Sequence, residues 1–239
     1  MYTIAPSSAL TGTVRSAYDY AQIGCGRCQD LGIAMTDYDE IVMQIAECTR
    51  CALSERRTRT VPGDGSPSAE IMFIGEAPGY NEDRQGLPFV GAAGNVLTDL
   101  LAGIGLRRSD VYITNMVKCR PNNNRDPLSG EIEACSTYLD AQIELIDPKV
   151  IVTLGRFSFG KFFPGRSISR ERGKPRSWRG RMIYPMYHPA ATLHNPRLRP
   201  ALENDFRNLL PLVEEVIATP SDDAVGEDEK PPEQQLSMF

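Results

Sequence analysis

The sequence lacks a long apolar run, since no stretch approaches the roughly 20 apolar residues that a membrane helix needs. Its first residues have neither a basic start nor an apolar segment, so they do not predict a secretory signal. We therefore expect a cytoplasmic protein. The six cysteines are then not expected to form disulfides, because the cytosol keeps thiols reduced. Metal ligation or redox chemistry becomes the question that they raise.

The chain also lacks positive charge overall, with a formal net charge of −5. This deficit is local, because residues 219–239 hold six acids against the single base Lys230 and the rest of the chain is neutral. Between Arg156 and Arg199 there are eleven Lys or Arg residues and one acid, Glu171. Fields decay over about 8 Å at physiological salt, so the local block outweighs the net value. It favours a phosphate-bearing partner such as DNA, with a solvated loop face as the alternative.

Short apolar runs alternate with helical patterns along the middle of the chain. The runs cover residues 70–75, 111–115, 150–154 and 182–187, and they are typical of strands buried on both faces. Helical spacing predicts helices near 38–50, 94–104, 129–146, 156–163 and 200–217. The alternation predicts an α/β fold, a three-layer αβα sandwich around a central four-stranded parallel sheet.

Composition divides the chain into three parts. Residues 1–36 are polar and predict a poorly ordered N-terminal extension, whereas residues 37–217 predict one domain that carries the sheet. Residues 218–239 are rich in Pro, Asp, Glu and Gln and predict a disordered acidic tail. We expect the protein to be a monomer.

Unusual residues follow three of the predicted strands. Gly75 and Glu76 follow the first, Asn115 ends the second, and His188 follows the last. Ligands of parallel sheets bind beyond the carboxyl ends of the strands, which makes these residues candidates for a site. Each has an ordinary alternative on its own: a tight or phosphate-binding turn for Gly75, a turn or cap for Asn115, and a structural or surface role for His188.

Four motifs occur together in one order. They are GEAPGYNED at 75–83 with LPFVG at 87–91, TNMVKCRP at 114–121 with NR at 124–125, HPAA at 188–191, and the cysteines Cys48, Cys51, Cys119 and Cys135. Together they resemble family 4 of the uracil-DNA glycosylases, the branch that contains a [4Fe–4S] cluster, over roughly residues 40 to 215. The resemblance implies the fold of that superfamily. It also implies a DNA-repair hydrolase that cleaves the N-glycosidic bond of uracil in DNA and leaves an abasic site.

The resemblance assigns chemical roles to four side chains. His188 is the donor that stabilises the departing uracil anion at O2, where a prepositioned donor can contribute about 3 kcal/mol. Glu76 or Glu82 positions or polarises the attacking water, and the sequence does not decide between them. Asn124 is expected to assist at the sugar or the water.

It likewise implies a pocket for a flipped-out uracil. Backbone groups from Gly75 to Ala77 contact a uracil oxygen, and Phe89 stacks on the base. The amide of Asn115 accepts from N3–H and donates to O4, a pattern that cytosine reverses. Tyr80 is a candidate for excluding the methyl group of thymine.

The DNA contacts implied by the resemblance follow HPAA. Leu193 is expected to fill the gap left by the flipped nucleotide, which offsets an unstacking cost. Arg197 and Arg199 are expected to hold phosphates, and Arg125 is a further DNA-binding candidate. The alternative is a buried leucine with ordinary surface arginines.

Cysteine spacing alone is compatible with Zn²⁺ or with [4Fe–4S], and it favours zinc slightly. The positions of Cys119 and Cys135 match the iron–sulfur glycosylases, so the resemblance implies a [4Fe–4S] cluster held by Cys48, Cys51, Cys119 and Cys135, with a structural role. Cys25 and Cys28 are either spare thiols or rival ligands.

The chain ends in Gln235, Leu236, Ser237, Met238 and Phe239. This ending resembles the short peptide by which bacterial repair and replication proteins bind the sliding clamp, which makes the clamp a candidate partner.

Two other functions stay open at this point. A relative that traps the sugar covalently on a histidine needs a His-bearing insertion after the Cys-Arg-Pro segment, and residues 122–127 contain no histidine. A non-catalytic iron–sulfur or zinc DNA-binding module is the second alternative. The joint presence of Glu76, Asn115 and His188 argues against it.

Overall fold

A computed structural model of the protein describes residues 36–218, and these form an α/β domain around a mixed sheet. The strands lie in the order β1-β3-β2-β4-β6-β5. Their bounds are β1 Asp64–Gly65, β2 Ile71–Gly75, β3 Tyr112–Asn115, β4 Val150–Leu154, β5 Arg176–Trp178 and β6 Arg181–Met186. The four central strands are parallel, whereas β1 and β5 are short antiparallel edges.

Helices connect these strands. Their bounds are α1 Asp37–Ala46, α2 Tyr80–Gln85, α3 Ala92–Gly103, α4 Ser129–Ile146, α5 Arg156–Phe162, α6 Ile168–Glu171, α7 Pro189–His194, α8 Arg199–Arg207 and α9 Leu209–Ala218. The first begins with a capping box, in which Thr36 and Asp39 satisfy each other's backbone N–H groups.

Both faces of the sheet are covered by apolar packing. Phe73 belongs to a core cluster with Leu97 and Phe206, whereas its neighbours Met72 and Ile74 belong to a second cluster on the opposite face. This division follows from the strand geometry, because successive side chains of a strand point to opposite faces. It explains why the central strands read as continuous apolar runs.

The predicted fold class is confirmed, with one difference in strand number. The four predicted strands are the parallel centre of the sheet, and the two edge strands were missed because they are only two and three residues long. The single helix predicted near 200–217 is two helices that meet at Asn208. Helices α2, α6 and α7 were not predicted, because four to six residues are too few for a periodic pattern.

Within residues 36–218 no helix has the length and apolar character needed to cross a bilayer. The proposed N-terminal extension, the acidic tail, Cys25, Cys28 and residues 235–239 lie outside the described residues.

Candidate active site and cysteine cluster

The carboxyl ends of the parallel strands open into a cavity of about 710 Å³. In the register of the sheet Gly75 lies beside Asn115, so the segments after β2 and β3 start from the same level. Parallel neighbours end at one edge of a sheet, which brings distant segments of the sequence together. The wall includes Glu76, Ala77, Gly79, Glu82, Phe89, Asn115, Asn124, Arg125, Asp126, Arg156, His188 and His194.

His188 immediately precedes α7 and enters the cavity with a defined orientation. Its Nδ1 atom accepts a hydrogen bond of 3.1 Å from the backbone N–H of Ala190. Burial lowers the pKa of His188 to about 4, and the negative charge of Glu82 opposes this shift. The imidazole is therefore neutral near pH 7, and since Nδ1 is an acceptor, its proton lies on Nε2.

Asn115 is the polar side chain at the end of β3, and it is almost fully buried at 2% exposure. Its amide has no hydrogen-bond partner among the residues that the structure describes, although it lines the cavity. A Cβ atom on Gly75 would lie 2.3 Å from Asn115 Oδ1 and 2.7 Å from the Phe89 ring. Gly75 is thus required for the close approach of the amide and the ring. An amide that lines a cavity and makes no hydrogen bond to another described side chain is available to bind a ligand.

Phe89 forms an aromatic wall of the cavity in a strained conformation. Its ring stacks on His188, with centroids 5.5 Å apart and planes 26° apart, and its φ is +52°. Arg108 holds this loop by donating to the carbonyls of Pro88 at 2.8 Å and Phe89 at 3.1 Å. A Cβ on Gly94 would lie 1.8 Å from the Phe89 carbonyl oxygen. Strain that the surrounding structure maintains in this way is typical of functional sites.

Glu76 is the carboxyl group that directly follows β2, and it is only partly buried. Burial and, after it, the negative charge of Asp126 raise the pKa of Glu76 to about 7, against the opposing charge of Arg156. No other side chain of the described residues donates to this carboxyl. Glu76 therefore changes its protonation near neutral pH and can accept a proton.

Glu82 has a different set of contacts, although it also lines the cavity. Its Oε1 accepts from the backbone N–H groups of Val90 at 2.9 Å and Gly91 at 2.8 Å, and its Oε2 accepts from Gly79 at 3.1 Å. These bonds fasten the start of α2 to the loop that precedes α3. Because three N–H groups occupy its oxygens, Glu82 is a structural acceptor in this site.

An ion pair between Arg156 and Asp126 lies at the cavity wall. Arg156 begins α5, whereas Asp126 belongs to the loop that follows β3, so the pair links two elements. Asn124 comes from the same loop and accepts from Arg120 Nε at 2.7 Å. These contacts shape the side of the cavity beside Glu76.

The predicted DNA-binding residues are not equivalent. Leu193 is 47% exposed on α7, beside residues that line the cavity. Arg197 is exposed, whereas Arg199 is paired with Glu203 at 2.8 Å on α8. Arg125 pairs with the buried carboxylate of Glu131 at 2.6 Å. Of the three arginines only Arg197 lacks a carboxylate partner within the described residues.

Tyr80 is not part of the cavity wall. Its side chain is 51% exposed at the start of α2, and Arg84 and Arg120 lie beside its ring. The position does not place it against a bound base, so its predicted role in rejecting thymine is not supported by the geometry.

All four predicted cysteine ligands line a second cavity, which contains about 340 Å³ of space not filled by atoms. Its remaining wall is largely apolar, with Ile45, Leu53 and Val117. The backbone N–H of Lys118 donates to Cys135 Sγ and Arg57 Nη1 donates to Cys119 Sγ, both at 3.3 Å. Burial raises the pKa of the Cys119 thiol to about 11. A bound cation would reverse this, because ligating thiols are deprotonated.

The thiols are not arranged around a single ion. In the described part of the chain, no group of three or more His, Cys, Asp or Glu side chains is suited to holding a metal ion. Four cysteines are a donor set that suits either Zn²⁺ or a [4Fe–4S] cluster.

A buried polar network connects the cysteine cavity to the end of β3. Lys118 is 1% exposed, and its Nζ donates to Thr114 Oγ1 at 2.7 Å, to the Asn115 carbonyl at 2.8 Å and to Gln142 Oε1 at 2.6 Å. Gln142 in turn donates to the Pro62 carbonyl at 3.0 Å. This network fixes the main chain that carries Asn115.

Several residues of the site were missed by the sequence analysis. Arg108, Asp126 and Arg156 act through loops that come together only in the folded chain, and Lys118 was treated as part of a motif without a role. A lysine at the end of an apolar strand was the one available signal, since lysine is almost never fully buried without partners.

Comparison with known proteins gives one consistent result. The Uracil DNA glycosylase superfamily matches residues 62–211. A type-4 uracil-DNA glycosylase of Sulfurisphaera tokodaii is 51% identical over 185 residues, which cover 73% of this chain and 84% of the relative. The corresponding proteins of Archaeoglobus fulgidus and Saccharolobus solfataricus are 50% and 51% identical, each over 73% of this chain and over 92% and 86% of their own lengths.

Proposed function

The chain belongs to the uracil DNA glycosylase superfamily and, within it, to the type-4 family, and on this premise we propose that it hydrolyses the N-glycosidic bond of uracil in DNA. The product is an abasic site, as in base excision repair. The observation that carries the proposal is the shared cavity of Glu76, Asn115 and His188, which come from three separate strand ends.

The leaving group is the first chemical problem. As the glycosidic bond breaks, the sugar becomes oxocarbenium-like and negative charge collects on uracil O2. We assign the Nε2–H of His188 to that oxygen. Its tautomer is set by Ala190 before substrate binds, so the donor needs no reorganisation in the transition state.

The attacking water is the second problem. We assign its orientation and deprotonation to Glu76, whose carboxyl faces the cavity with a pKa of about 7. A general base works best when its pKa lies near the operating pH. Glu82 is left with the structural role, because its oxygens are occupied by backbone donors. Asn124 completes the wall on the side of the sugar.

Base selection rests on Asn115 and Phe89. The unpartnered amide of Asn115 would accept from uracil N3–H and donate to O4, and cytosine presents the opposite pattern. The Phe89 ring would stack on the base, and backbone groups from Gly75 to Ala77 would contact a uracil oxygen. The exposed Leu193 would fill the gap in the DNA stack, with Arg197 on a phosphate.

We assign a [4Fe–4S] cluster to the cavity of Cys48, Cys51, Cys119 and Cys135. When bound, the cluster supplies a cross-link between the segment after α1, the loop after β3 and α4. The support is the donor chemistry of four cysteines that line one cavity. Its role here is to hold the segment that carries Asn115, in which the Lys118 network takes part.

We also propose that the last five residues, from Gln235 to Phe239, bind the bacterial sliding clamp. The support is the sequence itself: an apolar pair and a glutamine at the end of an acidic, proline-rich segment. Calorimetry with the clamp would compare the full chain with a chain that lacks these five residues and ends at Gln234. Equal binding by the two would eliminate the idea.

The glycosylase activity itself can be tested directly with the purified protein. A labelled oligonucleotide with one uracil is incubated with the enzyme and then cleaved with alkali at abasic sites. We expect one cut at the uracil and none in a matched thymine oligonucleotide. An intact uracil strand after long incubation would contradict the proposal.

A further inference from the structure

Tyr80 is an exposed aromatic residue in a position that the proposed chemistry does not use. It begins α2, directly after Gly79, which lines the catalytic cavity. Half of its side chain is exposed, at 51%, which is the second largest exposure of a large apolar residue in the described chain.

Two guanidinium groups surround this ring. Arg120 lies 5.1 Å and Arg84 lies 5.7 Å from the ring centroid, and Arg84 Nη1 donates to the Tyr80 hydroxyl at 2.9 Å. Neither arginine forms an ion pair with a carboxylate among residues 36–218. Their positive charge is therefore available for phosphate, while the contacts orient the ring.

The group of Tyr80, Arg84 and Arg120 also contacts the cavity wall through Arg120. Arg120 Nε donates to Asn124 Oδ1 at 2.7 Å, and Asn124 lines the cavity. The order of the sheet gives the direction, because Tyr80 follows β2 and Arg120 follows its neighbour β3. Leu193 follows β6, which is separated from β2 by β4. Tyr80 and Leu193 thus flank the cavity from opposite sides.

We propose that Tyr80, with Arg84 and Arg120, is a stacking platform for an unpaired base of the same DNA strand, next to the uracil and on the side away from Leu193. The inference rests on the proposed glycosylase function and deepens it. An aromatic ring accepts any base, since every base has a π face, and adjacent cations hold the backbone. The platform therefore contributes most where neighbouring bases are unpaired, as in single-stranded DNA.

Affinity for DNA is the first measurement. Uracil-containing single-stranded and duplex oligonucleotides are titrated against the wild type, Tyr80→Ala and Tyr80→Phe, with Leu145→Ala as control at an exposed site on α4 away from the strand ends. We expect Tyr80→Ala to bind single strands about tenfold more weakly, with a smaller loss on duplex. Tyr80→Phe keeps the ring and should retain most of the affinity. A loss as large in Tyr80→Phe as in Tyr80→Ala would overturn stacking.

Position along the strand is the second measurement. An abasic analogue replaces each neighbour of the uracil in turn, and single-turnover rates are compared at low and at saturating enzyme. For the wild type, an abasic analogue at one neighbouring position should lower kcat/KM. For Tyr80→Ala, the same analogue should not change kcat/KM further. The rate at saturating enzyme should be the same with and without the analogue in both proteins. Additive losses at every position, or excision of thymine by Tyr80→Ala, would overturn the platform. Absence of uracil excision by the wild type would instead refute the glycosylase function.

Discussion

The Nδ1 atom of His188 accepts from the backbone N–H of Ala190 at 3.1 Å. This single bond decides which ring nitrogen carries the proton, and burial keeps the ring neutral by lowering the pKa of His188 to about 4. The site thus presents one N–H donor to the cavity over the whole physiological pH range. The stacked Phe89 ring fixes the plane of the imidazole.

Replacement of this donor tests its role in the departure of uracil. We expect His188→Ala to lower the single-turnover excision rate about 10²–10³-fold, as for the loss of one preorganised donor at a developing oxyanion. Binding of uracil DNA and the melting temperature should change little. Leu145→Ala, at an exposed site on α4 away from the strand ends, is the control and should stay near the wild-type rate. If His188→Ala changed the excision rate only slightly, another group would have to stabilise the uracil anion.

The pH dependence of excision tests Glu76 as the base. Since the pKa of Glu76 is raised to about 7, the ionised base is lost as the pH falls through that value. We expect kcat/KM to fall below pH 7, whereas His188, already neutral, adds no titration between pH 5 and 8. Glu76→Gln should lower the rate about 10²–10⁴-fold and abolish this dependence. Its persistence in Glu76→Gln would assign the titration to a different residue.

The stability of the folded protein should depend on pH in the opposite direction to the excision rate, because of the same carboxyl group of Glu76. A carboxyl whose pKa is higher in the folded than in the unfolded chain binds more protons when folded, so stability falls as the pH rises from about 4.5 to about 7. In thermal unfolding, Glu76→Gln should therefore be less sensitive to pH across that window than the wild type.

Substitutions in the ion pair of Asp126 and Arg156 should shift the pKa of Glu76 in opposite directions. Asp126→Asn removes a negative charge and should lower the pKa of Glu76, which moves the acid limb of the rate profile to lower pH. Arg156→Gln removes a positive charge and should move the limb to higher pH. Both groups are exposed, so shifts of a few tenths of a pH unit are expected, and they should diminish at high salt. Shifts of the same sign would contradict this arrangement.

The sequence predicted the parallel centre of the sheet and the residues at its strand ends because both have local signals. Val150–Leu154 and Ser129–Ile146 match their predicted bounds, since a continuous apolar run and a long periodic pattern leave few alternatives. Their positions after the strands made Glu76, Asn115 and His188 candidates for one site, the resemblance gave them chemical roles, and all three line the same cavity.

Roles that depend on side-chain contacts were beyond the sequence. Glu76 and Glu82 were equal candidates for the water, and only the three backbone donors around Glu82 separate them. Arg125 appeared free for DNA until its pairing with Glu131 was seen. Such partners come from loops whose relative placement depends on the whole fold.

Glu82 should therefore behave as a stability residue. Glu82→Ala leaves three backbone N–H groups without their acceptor and should lower the free energy of unfolding by about 1–3 kcal/mol. Its excision rate should recover in part on cooling, as the loop before Phe89 re-forms. Denaturant unfolding and single-turnover rates at two temperatures check this. Full stability with a lost rate would make Glu82 a chemical residue instead.

The cysteine cavity yields the last prediction. Substitution of Cys48, Cys51, Cys119 or Cys135 by alanine removes one of four ligands, and we expect loss of the visible absorbance of an iron–sulfur cluster, less iron and acid-labile sulfide, and lower solubility. Because Lys118 links this region to the Asn115 carbonyl at 2.8 Å, affinity for uracil DNA should fall in whatever protein remains soluble.

Cys25→Ser and Cys28→Ser are the matched controls within the same chain, and both should keep the colour and the iron. Zinc in place of iron in the anaerobically purified wild type would reverse the choice of metal. That outcome would require the four sulfurs to draw together around one ion, since no group of three or more ligating side chains in the described part of the chain is arranged to hold one. Iron in the wild type, and its loss only on substitution of the four lining cysteines, would assign the cluster to this cavity.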